Sequence, residues 1–223
     1  MDFRHEWKHE INALDLLALR ARLRAVMATD PHAPGGSYMI RSLYFDTPED
    51  RALHEKLDGV NGREKFRLRC YNSDFSLIRL EKKSKYNGLC RKETALLTLA
   101  ETQALLAGEW GWMRRRGRPI VLELYSKMCT QGLLPKTIVE YVREPFVYAP
   151  GNVRVTLDRD IRTGLRSTDF LNTGGITVPV GGPEAILEVK WDAFLPAVVR
   201  DAVQLRGRRT AAFSKYAASR IYG

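Results

Sequence analysis

The sequence predicts an α+β domain: an eight-stranded antiparallel sheet, curled into a closed β-barrel, with flanking helices. Three observations predict it. Segments with a two-residue alternation recur along the chain. Tight turns such as Asn87-Gly88 join neighbouring segments as hairpins, so those strands run antiparallel. About eight such strands in one small domain must close on themselves or protect their edges. Closure is the expectation, although strand number alone also admits an open sheet or a sandwich.

The elements follow in chain order. Residues 3–11 alternate, with Arg4, Glu6 and Lys8 on one face and Phe3, His5, Trp7 and His9 on the other. Asn12 reads as the N-cap of a helix that runs through LDLLALRARLRAVM. PHAPGG (31–36) is a loop. YMIRSLYFD (38–46) is a strand, stopped by Thr47-Pro48. A short helix over 49–57 ends at Asp58-Gly59. GREKFRLRCY (62–71), SLIRLEKKSKY (76–86) and LCRKETALL (89–97) are consecutive strands. Residues 98–132 form a helical insert with a basic break at RRRGRP (114–119), in which Trp110 and Trp112 pack the insert on the sheet. KTIVEYVREPFVY (136–148) and NVRVTLDRDIR (152–162) resume the β pattern. A Gly- and Thr-rich loop spans 163–183, AILEVKWD (185–192) is the last strand, and helices occupy 196–222. The whole chain, 1–223, reads as one domain.

Composition excludes several classes. With 44% hydrophobic residues, 223 residues can bury a core, so disorder and fibrous repeats are excluded. No apolar run approaches the roughly 18 residues of a membrane-spanning helix. Three cysteines without CxxC spacing and four histidines argue against a zinc site or a disulfide framework. MDFRHEWKHEI lacks an apolar signal core, so a reducing, cytoplasmic location is expected. The formal charge of +10 calls for a polyanion, an anionic surface or plain solubility.

The charge is patterned. Phe66, Leu68 and Cys70 form the apolar face of one strand, and Val153, Val155 and Leu157 that of another. The opposite faces carry Lys65, Arg67 and Arg69; Arg79, Glu81, Lys83 and Lys85; Tyr141 and Arg143; Arg154, Asp158 and Asp160; Glu188 and Lys190. On a single strand this is a solvated face. Repeated across strands it stacks like charges, which destabilises a sheet unless a polyanion neutralises them. Arg forks and mobile Lys ammoniums suit phosphate oxygens, and scattered carboxylates suit a divalent cation such as Mg or Mn. There is no P-loop, no Ser/His/Asp arrangement, and no helix-turn-helix, zinc-finger or RNP-like motif, which disfavours nucleic acid.

In family order the chain carries RHEWKHEI, RSLYFDTP, KFRLRCY, LEKKSKYNGLCRKE, YVREPF, VRVTLDRDI, ILEVKW and FSKY. Together these resemble the VTC domain, the polyphosphate polymerase domain of the triphosphate tunnel metalloenzyme (CYTH-like) superfamily. The resemblance implies a barrel whose tunnel takes ATP, polyphosphate or triphosphate with a divalent metal, Mn or Mg. It implies phosphate-handling roles for Lys8, Arg67, Arg69, Lys83, Lys92, Arg143, Arg154 and Lys215. Tyr141, Lys65, Lys190 and Arg4 are further candidates for substrate contact. Glu188 matches the metal-binding glutamate, with Glu6 and Glu81 as secondary candidates.

Two departures matter. Hydrolytic relatives begin ExExK, whereas Arg4 occupies the first position here, which resembles the polymerase branch. Fungal members place a lysine where this chain has Ala212, leaving Lys215 alone on the last helix. Asp158 and Asp160 are read as either metal ligands or partners of the arginines. His5 and His9 are read as packing or surface residues, and RRRGR as a solvated loop or a guide for an emerging chain. A membrane partner protein is compatible with all of this.

Overall fold

The fold comes from a computed structural model whose described residues are 4–87, 89–115, 117–205, 207 and 213–220; Phe3, Gly88, Arg116, Ala212 and Ile221 lie outside them. Strand β1 (His5–Ile11) leads into α1 (Ala13–Val26), a two-residue β2 (Ala28–Thr29) and β3 (Tyr38–Asp46). Helix α2 (Arg51–Leu57) precedes β4 (Arg63–Tyr71), β5 (Asp74–Tyr86) and β6 (Leu89–Leu97). The insert holds α3 (Leu99–Leu106), a 3-10 turn (Gly111–Arg114) and α4 (Pro119–Gln131). Then come β7 (Leu134–Tyr148), β8 (Val153–Thr163), a short β9 (Val178–Pro179), β10 (Ala185–Trp191), α5 (Ala197–Ala202) and α6 (Lys215–Arg220).

Eight strands pair in the order β1-β10-β8-β7-β3-β4-β5-β6, all antiparallel, with β2 beside β7 and β9 beside β8. The sheet curls into an open half-barrel, so the expected closed barrel is corrected. Among the described residues β1 and β6 are its two ends and do not pair. Both ends carry charges on the concave face, Glu6 and Lys8 on β1 and Lys92 on β6, the kind of inward charge that blocks edge pairing. The ends approach through side chains instead: Lys83 of β5 donates to Glu6 of β1 at 3.0 Å.

The convex face is apolar and covered by helices. Leu43, Phe45, Phe66, Leu68, Cys70, Ile78 and Leu80 pack under Leu105, Met113, Ile120, Val121, Leu124 and Met128 of the insert. Val155, Leu157, Leu187 and Val189 pack under Leu19, Leu23 and Val199 of α1 and α5. The largest of these side chains contribute about 1.5–3 kcal/mol each on burial, which is what turns the charged face of every strand to the other side. Capping boxes set the starts of α1 (Asn12 with Asp15) and α3 (Thr98 with Glu101). Trp110 and Trp112 pack against the insert core as expected. Arg118 of the basic break is a structural residue: it pairs with Glu101, donates to Leu96 O at 3.1 Å and lies over the Trp112 ring.

Helix α6 sits inside the trough. Tyr216 stacks on Tyr44 at 5.1 Å and its hydroxyl donates to Asp46. Asp46 also accepts from the backbone N–H of Ala52 and Leu53 at the start of α2. The YFD and SKY segments, far apart in the chain, therefore meet in one joint that fixes the position of Lys215. Arg41, on the convex face and buried, donates to the carbonyls of Asp169, Phe170 and Asn172 and so anchors the 163–183 loop.

Candidate functional site: a basic trough

Register brings the charged faces together. Lys8 lies opposite Glu188, and Glu6 opposite Lys190. Lys190 lies opposite Arg154, and Arg143 opposite both Asp158 and Tyr38. Ser42 lies opposite Arg69, Tyr44 opposite Arg67, Arg67 opposite Glu81, and Lys65, Lys83 and Lys92 form one continuous row. The concave wall therefore collects the predicted set from seven strands, with Lys215 added by α6.

Each of the four lining carboxylates is held by at least two cations. Glu188 meets Lys8 at 3.3 Å, Lys190 at 3.2 Å and Arg143 at 3.2 Å. Asp158, fully buried, takes a bidentate pair from Arg143 at 2.7 and 2.8 Å and Lys215 at 2.6 Å. Glu81 meets Arg67 at 2.6 Å, Lys92 at 2.5 Å and Arg69 at 3.7 Å. Glu6 meets Lys8 at 2.8 Å and Lys83 at 3.0 Å. Burial alone would raise the carboxyl pKa values, but Lys190, Lys8 and Arg143 hold Glu188 well below the ordinary range. Arg67, Arg69 and Lys92 do the same for Glu81, and Arg143 with Lys215 for Asp158. All three are ionised at neutral pH.

The cations are less evenly served. Lys65, Lys83 and Lys92 are direct cross-strand neighbours, and like charges so placed repel. Burial pushes the Lys65 ammonium down to about 8, and that of Lys190 also to about 8. Tyr44, whose OH accepts from Arg67 at 2.9 Å, moves the other way to its burial: Arg67, Lys65 and Arg69 lower its phenol to about 7. Such spacing of excess cations is tolerable when an external anion completes the neutralisation.

Most sequence-predicted residues converge on this wall: Lys8, Lys65, Arg67, Arg69, Lys83, Lys92, Tyr141, Arg143, Lys190 and Lys215, with Glu6, Glu81 and Glu188. Tyr141 accepts from Arg69 at 3.1 Å, and its ring lies 4.6 Å from Lys215 Nζ. Arg154 stands toward one end, on Asp30 at 2.7 Å and Tyr38 OH at 3.0 Å. Arg4 is turned to the rim, on Asp192 at 2.7 Å and the Asn152 carbonyl. Asp160 leaves the wall altogether. A β-bulge breaks the β7–β8 register there, Asp160 takes φ +52°, and its carboxylate pairs with neighbouring Arg159. Asp158 is thus the partner of Arg143 and Lys215.

Sequence reading missed Tyr38, Ser42 and Tyr44. They share one face of β3 at two-residue spacing, but mixed with Ile40 they do not look like a polar face. Their hydroxyls at alternate positions opposite the RxR strand were the available signal.

The VTC domain family profile matches residues 3–221. The chain belongs to the VTC domain family. No curated protein is a significant match. Solved structures share the fold with this VTC domain. A protein from Bacillus halodurans, provisionally described as an adenylate cyclase, is similar at TM-score 0.51 and 14% identity, over 85% of this chain and 80% of that one. The PH1012 protein of Pyrococcus horikoshii OT3 is similar at TM-score 0.50 and 11% identity, over 96% of this chain and 97% of that one. At these identities the likeness is one of fold. No helix among the described residues is long and apolar enough to cross a membrane.

The donor set of the VTC domain suits a hard divalent cation at one place. Glu6 and Glu188 both converge on Lys8 Nζ, and Glu6 Oε1 is buried without a hydrogen bond of good geometry. Among the described residues no third His, Cys, Asp or Glu joins them. Two carboxylates completed by substrate phosphate oxygens and water is the usual arrangement for Mg. Glu81 Oε1 is likewise buried without a hydrogen bond of good geometry, but the groups around Glu81 are the cations Arg67, Arg69 and Lys92, whereas Glu6 and Glu188 share Lys8 as a pair of carboxylates.

The depressed lysines give a pH prediction. A bound polyanion favours the charged forms of Lys65 and Lys190, so tripolyphosphate affinity should be level below about pH 8 and fall above it. From pH 7.5 to 9.5, calorimetry should record a loss of roughly tenfold or more. In the free protein the same groups bind fewer protons folded than unfolded between about 8 and the ordinary lysine value of 10.5. Their contribution to stability therefore rises with pH across that window. An affinity that stays level to pH 9.5 would show that these lysines do not face the anion.

Proposed function

We propose that this VTC domain is a polyphosphate polymerase, transferring the γ-phosphoryl group of ATP to the end of a phosphate chain held in the trough. The observation that carries it is the wall itself, in which cations outnumber carboxylates and every carboxylate is already bound by cations. Glu81, Asp158 and Glu188 are ionised and engaged, which leaves them poorly placed to activate water as a base. The terminal oxygen of a phosphate chain is already ionised and needs no base. Position one of the ExExK pattern is Arg4, turned to the rim, rather than a second carboxylate.

The chemistry then rests on placement and charge. Arg67, Arg69, Lys83 and Lys92 neutralise the triphosphate along β4–β6. Arg143 is pre-set by its bidentate pair with Asp158, which uses Nε and Nη2. A chain-end oxygen forms the new bond to the γ-phosphorus, the bond from that phosphorus to the β–γ bridging oxygen breaks, and ADP leaves. A divalent cation, held by Glu6 and Glu188, would supply further neutralisation of the phosphate oxygens.

A tunnel-fold triphosphatase would use nearly the same residues, so products decide. With ATP and Mn or Mg, the purified protein is expected to give ADP and phosphate chains resolvable by gel. ADP with orthophosphate as the sole co-product would instead establish the hydrolase.

A further inference from the structure

We propose that the end of the trough bounded by Tyr38, Tyr71 and Arg79 binds the base of the nucleotide, so that ATP enters with a fixed polarity. The inference rests on the reading of the wall as an ATP site. Along β4, the lining positions run Tyr71, Arg69, Arg67, Lys65, and across from them on β5 run Arg79, Glu81, Lys83. The chemistry changes along this line. One end is aromatic and planar, and the other is lysine.

Arg79 is the residue that the rest of the wall does not explain. It lies directly opposite Arg69, and no described carboxylate pairs with it. Its Nε is buried without a hydrogen-bond partner. Its guanidinium lies 5.6 Å over the Tyr71 ring, which meets Tyr38 edge-to-face at 5.6 Å. The Tyr38 hydroxyl is held by Arg154, whose own Nε is also buried without a partner.

A guanidinium plane beside a pair of edge-to-face tyrosines, with a spare Nε–H donor on Arg79, matches an uncharged planar ring carrying acceptor nitrogens. A phosphate has no use for the aromatic floor. Successive lining positions are about 7 Å apart, so a base at Tyr71 sets its own phosphates at Arg69 and Arg67. The γ-phosphoryl group then points toward Lys65 and Lys83, and the growing chain extends that way.

The test compares ATP with inorganic tripolyphosphate, which lacks the base, by calorimetry on the full chain. Wild type should bind both. Tyr71→Ala and Arg79→Lys should each weaken ATP by roughly tenfold, in the range of base stacking, with tripolyphosphate within about twofold of wild type. Tyr71→Phe should keep the wild-type ATP affinity. Equal losses for both ligands, or no loss for either, would overturn the inference while leaving the phosphate site standing. Failure of wild type to bind either ligand would reject the underlying reading of the wall as well.

Discussion

Glu188→Gln is expected to abolish turnover while making the metal-free protein a better binder of tripolyphosphate. The carboxylate of Glu188 holds Lys8, Lys190 and Arg143 within 3.3 Å. Those are cations that a phosphate chain would use, so in the free protein the carboxylate competes with the substrate for them. Removing one negative charge from a buried cationic wall should tighten metal-free tripolyphosphate binding by about tenfold. The same change removes half of the Glu6–Glu188 donor pair, so activity with Mn or Mg should fall by roughly 100-fold or more. Opposite signs on binding and turnover separate this role from a structural one. A parallel loss of both, with a lowered melting temperature that tripolyphosphate does not restore, would make Glu188 a fold residue.

Arg143→Ala should be the most damaging single substitution in the wall. Arg143 is the bidentate partner of Asp158 and also touches Glu188, and both carboxylates are buried. Without it, Asp158 keeps only Lys215 of its two cations. Removing one side of a buried ion pair typically costs about 3–5 kcal/mol, most of it from the charge left behind. Against a total stability of about 5–15 kcal/mol this is a large share, and urea unfolding should show it directly. Arg143→Ala combined with Asp158→Asn should recover much of the stability, because the orphaned charge is gone. Activity should stay lost in the double variant. A single variant as stable as wild type would mean that Asp158 is held by other groups.

What could be read from the chain differed from strand to strand. KFRLRCY announces both of its faces: Phe66, Leu68 and Cys70 are too apolar for water, so Arg67 and Arg69 must point the other way. The same logic placed Lys83, Arg143, Glu188 and Lys190. It failed where the period slips. The bulge in β8 turns Asp160 outward although strict alternation puts it beside Asp158. It failed again on β3, where Tyr38, Ile40, Ser42 and Tyr44 face the trough without looking polar. Closure of the barrel was a matter of how the end strands meet. Pairing is local and leaves a signal in alternation, whereas the meeting of β1 with β6 depends on summed twist and on the charges that both ends present. The Asp46–Tyr216 joint was likewise invisible, because a contact across 170 residues leaves no periodicity.

The formal charge of +10 is now located in large part. It is gathered on the concave face, where buried carboxylates hold it in place, and the proposed function assigns that face to a polyanion. A crystal structure with tripolyphosphate tests that claim most directly. Phosphates are expected along the wall between Arg69, Arg67, Lys83 and Arg143, with Lys8 and Lys190 drawn away from Glu188 toward phosphate oxygens. Phosphates bound instead at the convex surface, around Arg114, Arg115 and Arg118, with the Glu188 and Asp158 ion pairs unchanged, would contradict it.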